Sequence, residues 1–272
     1  MNVKFDPLVA EWIAFARNPS YNLIEKCLKF AQLLEYPDLD MEQYIGAIRK
    51  MGLSLRETVT DVKNPTYLVS MLNEYLFGDL GLGGDDEDYF NPKYNFLNEV
   101  IECKRGIPIT LTILYVEVAK FIGLDLRIVG FPGHILAKYG EEMILDPFYG
   151  GSLRDADDLQ AMLDESLGIE FRPEHLDEIG TEQILVRMAR NLKNSYMQSY
   201  VYDKAVRCAD MVLAIEPESA TDIRDKGILE SRLLHHDAAL GYLNRYLEMR
   251  PNAEDVDHVL EMIRNIKTKT SR

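Results

Sequence analysis

A chain of 272 residues with 47% hydrophobic content can form one large globular domain or two modest ones, each with its own core. Its 30 lysines and arginines against 45 aspartates and glutamates leave a formal net charge of −15, which opposes nucleic-acid backbones and anionic membrane surfaces. No apolar run approaches the roughly 20 residues that cross a bilayer, so partners of either kind are not expected.

The N-terminal stretch MNVKFDPLVAEW lacks a basic start followed by an apolar run, and it carries Asp6 and Glu11, so no secretory leader is expected. The three cysteines, Cys27, Cys103 and Cys208, lie far apart in sequence. That spacing suits free thiols in a reducing, bacterial-type cytoplasm rather than a disulfide framework.

Helical spacing dominates the first part of the chain. Leu8, Trp12, Phe15 and Ala16 form one apolar stripe, broken by Asn18-Pro19-Ser20. Leu23, Cys27, Phe30, Ala31 and Leu34 form a second, stopped by Tyr36-Pro37. Asp40 suits the cap of a third, with Tyr44, Ala47, Ile48 and Met51 inward, and Asn64-Pro65 opens a fourth with Leu68, Leu72, Tyr75 and Leu76. This reads as a helical support layer without chemistry. The next stretch, GDLGLGGDDEDYFNPKYN, gathers Asp79, Asp85, Asp86, Glu87 and Asp88. Its spacing does not match a calcium loop, so a solvated acidic loop is expected.

A short helix is predicted over residues 95–104, ended by Gly106. Pro108 fits the first turn of the next helix, where its missing N–H is harmless. That helix, 109–122, is apolar on nearly every side, which predicts burial, and Gly123 closes it. Strands follow at 126–131, 134–139 and 143–146, separated by Pro-Gly and Gly-Glu-Glu turns. Helices followed by hairpinned strands predict an α+β fold with a small antiparallel sheet beneath a central helix.

From about Thr181 the pattern is helical again, and it repeats. Glu216-Pro217 recurs as Arg250-Pro251, 34 residues later, with Asp203 over Asp237, Ala205 over Ala239 and Leu213 over Leu247. That period, with alanine in the second helix and proline after it, predicts an all-α tetratricopeptide-like module capped by a last helix over 252–267. The expected domains are 1–175, with a core at about 91–155, and 176–272.

His134 and Asp146 are the residues with chemistry. They lie equally far from Gly140, so a loop centred there puts them opposite each other on one face of a hairpin. The pair could be the base and orienter of a catalytic triad, or a structural ion pair. No Cys, His and carboxylate set has ligand spacing, so neither metal nor cofactor is expected. His235-His236, His175 and His258 read as surface residues. Tyr196, Tyr200, Tyr202, Tyr242 and Tyr246 read as repeat-core side chains.

The segment RGIPITLTILYVEVAKFIGLDLRIVGFPGHILAKY…ILDPFYGG, with PDLD at Pro37–Asp40 and the YLF and DYFNP stretches, resembles the transglutaminase-like superfamily. More narrowly it resembles the bacterial SirB-type family, in which such a domain precedes tetratricopeptide repeats. The resemblance implies a papain-like Cys–His–Asp site, with His134 and Asp146 at the histidine and aspartate positions. It also implies a cysteine opening the central helix in a G-x-C pattern, and here that position holds Pro108. Thr110 should point elsewhere on the helix. Cys103 is expected to be a packed thiol, and it is the alternative nucleophile.

Two readings follow. The first is a non-catalytic interaction or regulatory protein that binds a protein partner through its repeats. The alternative is an amidase, peptidase or acyltransferase using His134 and Asp146 with a displaced nucleophile such as Cys103.

Overall fold

The structure, a computed structural model, describes residues 7–60 and 63–270. Residues 1–6, half of the stretch considered as a leader, lie outside the described residues. The helices and strands in chain order are α1 (Pro7–Ala16), α2 (Leu23–Leu34), α3 (Met41–Thr58), α4 (Pro65–Asn73), β1 (Gly83–Gly84), α5 (Leu97–Cys103), β2 (Arg105–Gly106) and α6 (Pro108–Ala119). They continue with β3 (Arg127–Val129), β4 (Leu136–Tyr139), β5 (Met143–Asp146), β6 (Ser152–Leu153) and α7 (Ala156–Ser166). The chain then runs through α8 (Thr181–Gln198), α9 (Tyr202–Ile215), α10 (Ala220–Arg232), α11 (His236–Met249) and α12 (Val256–Thr270). Two compact units result, Asn18–Leu185 and a second that joins residues 7–17 to 186–270.

The larger unit is α+β. Its helix ends follow side-chain chemistry: Asn22 and Glu25 form a capping box on α2, while Asp40 and Asn64 each accept a first-turn N–H of α3 and α4. Helix α6 is buried at every residue except Glu117, as its uniform hydrophobicity requires. The last part of the predicted helix, Lys120–Ile122, tightens to a 3-10 turn, and Gly123 ends it at φ 76°. Strands β3-β4-β5-β6 form one antiparallel sheet against α6. Helix α7 covers the sheet, burying Leu159 and Leu163 against Val129, Phe131, Leu136 and Ile144.

One local expectation is corrected. Helix α5 is ended by Lys104 in a left-handed conformation (φ 62°), not by Gly106. Gly106 instead lies in β2, where a Cβ would press on Thr110 and Val100. The acidic loop is solvated as expected at Asp79, Asp86, Glu87 and Asp88, while Gly83-Gly84 pair in parallel with Arg105-Gly106 and the half-buried Asp85 accepts the Tyr94 hydroxyl at 3.1 Å.

In the second unit, helices α8 to α12 carry the repeat. Ala205 and Ala239 are both fully buried, and Leu243, Tyr246, Val259 and Ile263 fill the core around Ala239. Helix α1 packs on α9, where Trp12 Nε1 donates to the Met211 carbonyl at 3.3 Å. Tyr196 and Tyr246 are buried as core residues, but Tyr200 stands 78% exposed at a left-handed turn, because its φ of 61° ends α8 there.

Candidate functional site

His134 is set by a turn and Asp146 by a strand end. In Phe131-Pro132-Gly133-His134, the His134 N–H donates to the Phe131 carbonyl at 3.1 Å and Gly133 takes φ 75°, the pattern of a type II turn with proline and glycine at its centre. Asp146 ends β5 and caps the 3-10 turn Pro147–Tyr149, its Oδ1 accepting the Phe148 N–H at 3.1 Å. Gly150 and Gly151 follow at φ 69° and 72°. A side chain on Gly151 would collide with Asn73, whose amide donates to the Gly151 carbonyl at 2.9 Å.

The two side chains meet: His134 Nε2 lies 3.0 Å from Asp146 Oδ1. The route differs from direct opposition across a loop centred on Gly140. The β4–β5 ladder pairs Tyr139 with Met143 and Ala137 with Leu145, so the three-residue loop 140–142 is centred on Glu141. Asp146 therefore falls opposite Leu136, and His134 reaches it diagonally from two residues earlier. Parity is unchanged, so the two side chains still share a face.

Arg154 arrives from the other flank by the same geometry. In β5–β6, Asp146 pairs with Ser152, and Arg154 lies two residues beyond. Its guanidinium donates to Asp146 Oδ2 from Nη2 at 3.0 Å and from Nε at 3.3 Å. Asp146 is fully buried. Burial pushes its carboxyl up, but the hydrogen bonds and charges of His134 and Arg154 outweigh this and hold it below the usual carboxylate range. An ionised carboxylate only accepts, so Nε2 is the protonated nitrogen of His134, and Nδ1 holds the basic lone pair when the ring is neutral. Tyr149 stacks on the imidazole at 6.4 Å and 12°, with the Arg154 guanidinium 5.0 Å from its ring centre. Its hydroxyl lies 3.4 Å from Asp86 of the acidic loop.

A model of the transglutaminase-like superfamily matches residues 42–190, more than half of the sequence. The chain belongs to the transglutaminase-like superfamily. A tetratricopeptide-repeat model matches residues 192–264. A UPF0162 protein of Xylella fastidiosa is 35% identical over 233 residues, covering 83% of each chain. A UPF0162 protein of Vibrio cholerae is 30% identical over 182 residues, covering 65% of this chain and 67% of its own. Protein SirB1 of Salmonella typhimurium is 25% identical over 215 residues, covering 77% of this chain and 78% of its own. No solved structure matches the chain.

Within the transglutaminase-like unit, Pro108 opens α6 and is buried. Thr112, one turn later on the same helix face, donates to the Ile135 carbonyl at 3.4 Å, which brings that face beside the residue following His134. The Thr110 hydroxyl is committed: it accepts the Ile107 N–H at 3.1 Å and donates to the Tyr94 carbonyl at 2.8 Å. Cys103 is exposed rather than packed. It ends α5 outside the arc of Leu97, Asn98, Val100 and Ile101 that faces inward, so helical spacing turns it to solvent. Its thiol lies 3.5 Å from the Arg105 carbonyl. Cys27 is buried, and burial pushes its thiol far up, away from the reactive thiolate. Cys208 is buried as well.

His175 is not a solvated histidine. Its ring packs edge-on against Phe131 at 6.4 Å and near Phe171, because the segment 177–179 pairs with β3 and draws it in. Arg154, Tyr149 and Asn73 were missed by sequence reasoning. A period-two reading of the strand after Gly150-Gly151 puts Arg154 on the Asp146 face. Asn73 carried no such signal. Among the described residues, no three His, Cys, Asp or Glu side chains cluster as a metal site, and no helix is long and apolar enough to cross a membrane.

Proposed function

We infer that this chain is a non-catalytic interaction or regulatory protein, a degenerate transglutaminase-like domain joined at about residue 176 to tetratricopeptide repeats that bind a protein partner. The observation that carries the reading is Pro108 at the first turn of α6, the nucleophile position in the superfamily pattern, with the nearby Thr110 hydroxyl held between Ile107 and Tyr94. Arg154 supports it. The Asp146 charge that would stabilise a developing imidazolium is shared with a guanidinium, so His134, Asp146 and Arg154 act as a clamp across three strands. Tetratricopeptide repeats generally mediate protein interactions, which supports a protein partner.

The second reading, an amidase, peptidase or acyltransferase, is favoured by two observations: the intact His134–Asp146 pair and the exposure of Cys103. Alkylation by iodoacetamide across pH, read by mass spectrometry, separates the two. Under the first reading, Cys103 reacts at the rate of an ordinary exposed thiol, whether or not His134 is replaced by alanine. Pro108→Cys then introduces a thiol at a helix N-terminus near an imidazole, and it alkylates fast in mildly acidic buffer only while His134 is present. Rapid, His134-dependent labelling of wild-type Cys103 would overturn the first reading in favour of the second.

A further inference from the structure

The repeat unit pairs its cations closely. Arg190 and Lys193 bind Asp222 at 2.7 and 2.8 Å, Arg224 binds Asp255 at 2.7 Å, Arg245 binds Glu218 at 3.1 Å, and Lys226 binds Asp210. Arg207, Arg232, Arg250, Arg264 and Lys269 make no ion pair among the described residues, although the chain carries a net charge of −15, and of these Arg232 and Lys269 stand together. Both line one cavity of about 340 Å³, between the α10–α11 turn and one face of α12.

His236 and His258 line the same cavity, and no carboxylate does. His236 is the first residue of α11, a helix of 14 residues whose start is capped by no side chain, so the positive end of that helix opens nearby. The Nδ1 of His236 is buried and has no hydrogen-bond partner. Ser231 and Asn265 add a hydroxyl and an amide. Leu234, Met262 and Ile266 form an apolar wall beside these groups, and Leu234 stands 68% exposed at a left-handed turn. Positions 258, 262, 265, 266 and 269 recur at helical spacing, so α12 presents them on one face.

We propose that this cavity is a binding site for a phosphoryl group carried on an apolar body. Two fixed cations match a dianion, and phosphate monoesters carry about −1.5 to −2 charges at pH 7. The guanidinium and ammonium supply strong donors to three terminal oxygens, with the hydroxyl, the amide and the exposed His258 imidazole completing the shell. A carboxylate offers one charge and two oxygens to the same set. The apolar wall contacts the rest of the ligand.

The test titrates the full chain with inorganic phosphate and with phenyl phosphate, following the imidazole NMR signals of His236 and His258. Both probes should shift these signals saturably, and phenyl phosphate should bind more tightly because its ring meets Leu234 and Met262. The exposed pair Arg232→Gln with Lys269→Gln should weaken phenyl phosphate binding at least tenfold while leaving the melting curve in place. His258→Gln alone should weaken it several-fold. An absence of saturable shifts, or affinity unchanged in these variants, overturns the site. Benzoate binding as tightly as phenyl phosphate overturns the phosphoryl assignment.

Discussion

Asp146 in the transglutaminase-like unit and Asp222 in the repeat unit are both buried carboxylates, at 0% and 1% exposure, held below the usual carboxylate range. In each case burial pushes the carboxyl up and the partners more than offset it. The partners differ. Asp222 is gripped by Arg190, Lys193 and the Ser219 hydroxyl; Arg190 keeps 34% of its side chain exposed, but Lys193 is itself 2% exposed, so the Lys193–Asp222 pair is sealed between α8 and α10. Asp146 is gripped by Arg154 and by a histidine, and those side chains keep 20% and 13% of their surface exposed. The first arrangement fixes two helices of the repeat. The second leaves an imidazole partly open to solvent beside a buried carboxylate.

The largest expected effect is on the sealed pair. Asp222→Ala removes the buried carboxylate that Lys193 and Arg190 share, leaving Lys193 only Asp225 at 2.6 Å, and should cost about 3 kcal/mol, read as a fall in thermal or urea midpoint. Asp146→Ala should cost less, about 1–2 kcal/mol, because the Arg154 and His134 side chains keep 20% and 13% of their surface exposed and can hydrate. Equal losses in the two variants would break the contrast drawn here. A packing probe sharpens it from the repeat side: Ala239→Leu overfills a closed helix crossing and should cost about 1–3 kcal/mol, whereas an unchanged midpoint would count against the tight repeat core.

Acid acts on both carboxylates in the same direction. Each has a folded pKa depressed below the unfolded value of about 3.9, so each contributes stability that is complete above that value. That stability is lost as pH falls through the lower folded pKa. The drop in melting temperature between pH 7 and pH 3 should shrink in Asp146→Asn and in Asp222→Asn. The smallest effect belongs to the rim of the site. Tyr149→Phe removes one long hydrogen bond from a half-exposed hydroxyl to Asp86 and should change stability by less than about 0.5 kcal/mol, leaving the imidazole stack in place.

Local chemistry made much of this legible in the sequence. The caps at Asn22, Asp40 and Asn64, the burial of α6, the Pro-Gly turn before His134 and the 34-residue repeat all rest on interactions within a few residues or on a fixed period. The shared face of His134 and Asp146 was legible too, because strand parity survives an error in the loop centre. The register itself was not: moving the centre from Gly140 to Glu141 turns direct opposition into a diagonal, and the geometry of a three-residue loop decides that.

Residues that act across long separations had to wait for the tertiary structure. Arg154 clamps Asp146 only once β6 pairs with β5, and Asn73 meets Gly151 across 78 positions. The expected packing of Cys103 failed because seven residues of α5 bury one arc and its last position falls outside it. Trp12 donates to Met211 across 199 positions, so no local pattern could assign α1 to α9. The sequence by itself determined α1 to α6, strands β3 to β5 and the repeat, but not β1, β2, β6 or α7, since hydrophobic period, capping and turn preference act within a few residues. Only the tertiary structure decided which distant charges neutralise one another and which, like Arg232 and Lys269, are left facing a cavity, because desolvation and pairing depend on neighbours that the chain order does not specify.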